Sequence, residues 1–106
     1  MAGERVTPAL DWFHRESAGA PSALQTRAGF YLEATGASGD MAEDLGAAAN
    51  AALRAALGHR GGRDAALDLL AADALVTLAL KARAVADPAS LGVFAARLRA
   101  AGSESS

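Results

Sequence analysis

Along most of this chain, apolar residues recur at three- and four-residue intervals, and no stretch alternates apolar with polar over the length of a strand. Five segments carry the helical pattern, at about residues 8–17, 22–35, 40–57, 64–86 and 88–101. The expected fold class is therefore all-α: one small bundle of four to five helices over residues 1–102, followed by a flexible polar tail at 103–106. The connections are short, which favours antiparallel packing of consecutive helices.

Capping residues set the boundaries. Thr7 is a good N-cap, and Pro8 at the first helical position loses only an amide that has no partner there. Gly19, Ala20 and Pro21 break the first helix, and Gly36 suits a left-handed cap on the second. Asp40 and Glu43 have the spacing of a capping box for the third, which ends at Gly58. The segment His59-Arg60-Gly61-Gly62 reads as an interhelical loop. Asp87-Pro88 stops the fourth helix, with Asp87 as cap of the fifth, and Gly102 closes it.

At about 100° per residue, the third helix has one apolar stripe: Met41, Leu45, Ala48, Ala49, Ala52 and Ala56, with Leu53 at its edge. The second buries Leu24, Ala28, Tyr31 and Leu32, and the fifth Leu91, Phe94, Ala95 and Leu98. The fourth helix is different. One face carries Leu67, Ala71, Ala74, Leu78 and Val85, with Leu75 at its edge, and a second, roughly opposite, carries Leu69, Val76 and Leu80. Asp73, Thr77 and Lys81 form a narrow polar strip between them, while Asp68 and Arg83 are polar near the two ends. A helix apolar on both sides is either the centre of the bundle or lies partly in an interface between subunits. Two aromatics also leave their stripes: Trp12 lies across from Leu10 and Phe13, and Phe30 lies off the Leu24–Ala28–Tyr31 line. Either they wedge between neighbouring helices or they form an exposed patch for a partner.

Composition narrows the field. Of 106 residues, 52% are hydrophobic, but 30 are alanine, and the larger apolar residues suffice for one modest core. β-Branched residues are scarce, with four Val, four Thr and no Ile, which again favours helix. Zero Cys excludes disulfides and thiolate metal sites. A net charge of −2 with scattered basic residues gives no footprint for nucleic acid. The most apolar stretch, residues 69–80, is broken by Asp73 and is shorter than the ~20 residues needed to span a bilayer. With no secretory pattern at the N-terminus, a soluble cytoplasmic protein is expected.

Candidate chemistry is sparse. Asp11 and His14 share a helix face without a third ligand, so no metal site is expected. His59, Arg60 and Arg63 make a cationic loop leading into a helix N-terminus, where free amides attract anions, but no phosphate-loop motif accompanies them. Asp73, flanked by Leu69, Leu70 and Val76, would be an acid–base candidate if buried; beside Thr77 and Lys81 it reads as part of a solvated strip. The pair Glu43-Asp44 reads as a complement to the helix dipole. No catalytic motif and no cofactor site stand out, so an enzyme is not expected. The reading that fits best is an interaction or structural protein that self-associates as a homodimer or binds a protein partner. Its interface candidates are Leu69, Val76 and Leu80 on the fourth helix, with Trp12 and Phe30 at the aromatic end. The alternative is a binding module for a small apolar or anionic ligand, using the aromatic end (Trp12, Phe13, Phe30 and Tyr31) or the His59–Arg63 loop.

Overall fold

Alanine has the strongest intrinsic preference for the helix, and the computed structural model, which describes residues 8–58 and 61–104, winds almost all of them into helices. These are α1 (Pro8–Glu16), α2 (Ser22–Thr35), α3 (Met41–Gly58), α4 (Arg63–Ala86) and α5 (Leu91–Glu104). Among the described residues there is no strand. The first four helices begin and end within a residue of the boundaries expected from their caps. Thr7, the expected cap of α1, lies outside the described residues, as do His59, Arg60, Ser105 and Ser106.

The local signals were met in part. Asp40 Oδ1 accepts the Glu43 amide at 3.1 Å, which is half of a capping box. The Glu43 carboxylate takes Arg83 and Arg97 instead of completing the other half. Gly36 has φ 78° but ψ −177°, so it occupies an extended region reserved for glycine and not the left-handed helical one. The fifth helix starts later and runs further than expected. Asp87 provides no side-chain cap; its carbonyl accepts the Ser90 amide at 3.1 Å and the Ser90 hydroxyl at 3.0 Å. Residues Pro88–Ser90 therefore form a 3₁₀ turn, and α5 then continues through Gly102 to Glu104.

Contacts between helices give the topology. α3 and α4 form an antiparallel hairpin: residues 59–62 join them at one end, and Arg83 reaches Asp40 (3.4 Å) and Glu43 (3.2 Å) at the other. α2 lies parallel to α4, since Arg27 meets Asp64 and Asp68 while Tyr31, one turn on, meets Asp68. α1 is tied to the far half of α4 by Lys81 and Glu16 at 2.6 Å. α3 and α4 each touch all four other helices, and the pair forms the centre of the bundle.

Its buried arc is Asp68, Ala71, Ala72, Leu75, Ala79 and Ala82. That arc faces Leu45, Ala48, Ala49 and Ala52 of α3. Small residues on both sides let the two backbones approach closely, and the large buried side chains Phe13, Leu32, Leu45, Leu75 and Phe94 fill the remaining space. The two leucine-bearing faces expected on α4 are thus flanks of the buried arc. Leu67, Ala74 and Leu78 are half-buried on one flank, with Val85 exposed beyond them. Val76 and Leu80 are half-buried on the other, with Leu69 exposed.

Candidate functional site

α5 runs back along α4 from the C-terminal end, but it is too short to cover it. Fourteen residues span about 21 Å and the 24 residues of α4 about 36 Å. The large apolar residues of α5 also lie in its first eight positions: Leu91, Val93, Phe94 and Leu98. From Arg99 to Glu104 nothing large and apolar follows. On its α5 side the N-terminal half of α4 is consequently left uncovered by the described residues, and an apolar groove of about 860 Å³ remains between α3, α4 and α5. Ala49 and Leu53 of α3, Ala72, Val76 and Leu80 of α4, and Ala95 and Leu98 of α5 line it. Leu69 and Leu70 also border it and are 53% and 56% exposed. Its polar lining is limited to Asn50, Asp73 and Arg99. Asp73 and Arg99 are exposed, and their side chains pair with no other described residue.

On the other side of α4 lies a buried polar network. Asp68 is only 1% exposed, yet it is a carboxylate at the N-terminal end of the buried, alanine-rich arc. Its Oδ1 accepts the Tyr31 hydroxyl at 2.8 Å and Arg27 Nη1 at 2.6 Å. Burial, reinforced by the hydrogen bond to Asp68, raises the Tyr31 phenol above its ordinary value. The same carboxylate, through its hydrogen bond and charge, holds Arg27 still more firmly protonated. The Asp68 carboxylate is engaged by both donors from α2, so the network ties α2 to α4.

A second charged cluster joins three helices. Glu43 Oε2 accepts Arg83 at 3.2 Å and Arg97 at 2.8 Å, and the Arg83 guanidinium lies 4.6 Å from the centre of the Phe94 ring. Asp44 is buried, where it accepts the Ser38 amide at 2.9 Å and the Ser38 hydroxyl at 2.7 Å. Its task is to hold the α2–α3 turn, which corrects the expectation that Glu43 and Asp44 simply complement a helix dipole.

Leu69, Val76 and Leu80 come together on one wall of the groove, as a shared helix face requires. Trp12 and Phe30 are not part of it. Trp12 is half-buried against the core, whereas Phe30 is 60% exposed and packs edge-on against Tyr31 at 5.1 Å. Among the described residues, the ring pairs are Phe30–Tyr31 and Phe13–His14, so Trp12 and Phe30 do not cover one another. Asp11 pairs with Arg15 rather than His14. Asp73, Thr77 and Lys81 are exposed together, as a solvated strip should be. Arg63 is exposed, while His59 and Arg60, the rest of the cationic loop, lie outside the described residues. Among the described residues, no three His, Asp or Glu side chains converge to hold a metal ion, and no helix is long and apolar enough to cross a membrane. No family model, curated protein or solved structure matches the chain.

Sequence reasoning did not single out Asp68, Arg27 and Tyr31 as a unit. A signal was present: Asp68 lies within the same 100° arc as Ala71, Ala72, Leu75, Ala79 and Ala82. In a chain this rich in alanine the closest helix contacts follow rows of small residues, and a carboxylate in such a row is buried and needs partners.

Proposed function

We propose that this protein is a small helical interaction protein that self-associates as a homodimer through the groove face of α4. One observation carries the reading: Leu69 and Leu70 remain more than half exposed at the open end of an apolar groove. Single exposed leucines are ordinary, but two adjacent ones continuous with a groove form a contiguous apolar patch, the kind of surface that marks an interaction site. The nearly balanced charge, net −2, suits a protein partner better than nucleic acid, and the proposal places the chain in the cytoplasm with neither nucleic acid nor membrane as a partner.

Sedimentation equilibrium tests this directly. The wild type is expected to be a dimer at micromolar concentration, and the double variant Leu69→Gln/Leu70→Gln a monomer with unchanged helical circular dichroism. These two positions are preferable to Val76 and Leu80, which are packed against the core and would alter the fold when replaced. A monomeric wild type at high micromolar concentration overturns the proposal.

A small apolar ligand is the second reading, because the groove volume falls within the ~300–1,000 Å³ typical of ligand pockets. Its open shape and few polar groups favour a flat protein contact over an enclosed ligand. A monomer that binds a hydrophobic dye tightly, and loses it in the same double variant, would favour the ligand. The anion-binding alternative rests on Arg63 alone among the described residues, since His59 and Arg60 lie outside them.

A further inference from the structure

Resting on the homodimer reading, we propose that the partner in the groove is a second copy related by a two-fold axis, with Asp73 of each copy paired to Arg99 of the other. A two-fold interface uses one patch twice, so that patch must carry both members of every complementary pair. This groove does so in shape and in charge.

In shape, it has a ridge and a floor. Leu69 and Leu70 protrude from the uncovered half of α4, while Ala49, Ala72 and Ala95 leave a shallow floor beside them. A two-fold operation places the ridge of each copy over the alanine floor of the other. In charge, the groove has one acid and one base. Asp73 on α4 and Arg99 on α5 stand on different walls, both exposed, and their side chains pair with no other described residue. Most other charged groups near the helix contacts are already engaged: Lys81 with Glu16, Arg83 and Arg97 with Glu43, and Arg27 with Asp68. The two charged residues that line the groove are therefore opposite in sign and face the same opening. An unrelated partner would need its own matching charges, whereas a second copy brings them.

Charge reversal tests the pairing. In the variants Asp73→Arg and Arg99→Asp, each copy carries two like charges at the groove, so each variant alone should dimerise at least tenfold more weakly than the wild type. An equimolar mixture of the two should form a heterodimer of wild-type strength, because both cross-copy pairs are then restored in reversed order. Both positions are exposed, and unchanged helical circular dichroism and melting of each variant would show that the fold is intact.

Sedimentation of the mixture decides the question. Recovery of the dimer supports the two-fold pairing. A wild-type dimer that neither reversal weakens, or weakened variants that mixing does not rescue, overturns the pairing while leaving the groove dimer in place. A monomeric wild type overturns the pairing together with the reading on which it rests, and directs attention to an unrelated protein or a small ligand in the groove.

Discussion

At Asp68 a single carboxylate oxygen serves two donors from α2, the Tyr31 hydroxyl and the Arg27 guanidinium. The two donors differ in their access to water: the Arg27 side chain is 28% exposed, whereas Tyr31 and Asp68 are buried. Asp68→Ala is therefore expected to destabilise the fold by about 3 kcal/mol, the low end for breaking a buried ion pair, since Arg27 can rehydrate. Tyr31→Phe removes one hydrogen bond and leaves the ion pair, so about 1–2 kcal/mol is expected. Urea midpoints of the two variants check the order. The same network gives a pH dependence of definite sign. The folded state raises the Tyr31 phenol, so its contribution is fully present below the unfolded value of about 10 and is lost as pH rises through the folded one. Tyr31 is the chain's one tyrosine, so ultraviolet titration of the phenolate should show a midpoint above 10, and the Tyr31→Phe variant should lose part of the alkaline fall in melting temperature. This site was hard to read from residue types alone, because the residues that bury Asp68 are alanines. Alanine adds little to a hydrophobicity pattern, yet it permits the close helix contact that excludes water.

Among the elements, α5 is attached through few large side chains. Phe94 is its one fully buried large side chain, and it is wedged at the α3–α4 hairpin under Arg83. Leu98 crosses α3 at Gly46, where a side-chain carbon would stand 2.7 Å from Leu98 Cδ2, so glycine is what lets the two helices approach. Phe94→Ala should cost ~3–5 kcal/mol locally. That is enough to undock α5 while α1–α4 stay folded, because the α3–α4 contact is much the more extensive. Amide exchange should then accelerate across residues 91–104 and remain slow in α3 and α4. A uniform acceleration throughout the chain would instead mean that the bundle unfolds as one unit. The helices themselves were legible because caps and breakers are local: Pro21, the Asp40–Glu43 pair and Gly61-Gly62 act within a turn of their own positions. The start of α5 was misjudged because Asp87-Pro88 is compatible with both a capped α-helix and a 3₁₀ turn, and the Ser90 bonds to the Asp87 carbonyl select the turn.

For the whole molecule, the open groove bears on association. α5 ends before it can cover Leu69 and Leu70, and a second copy could supply the missing surface. If so, melting temperature should rise with protein concentration, as mass action requires of a state stabilised by association, and Leu69→Gln/Leu70→Gln should remove that dependence. The chain's own residues determine that it is helical, where the helices stop, and that α4 must be covered on more than one side. These follow from propensity, capping and periodicity, which are properties of neighbours in sequence. Tertiary structure alone decided which arc of α4 is the core, because that choice depends on how closely α3 can approach and not on which side chains are largest. It decided likewise that Asp68 is buried and Asp73 exposed, although both are aspartates flanked by leucine and alanine on one helix. The difference is that α2 presents Arg27 and Tyr31 to the first, while the second faces a groove that no described residue fills.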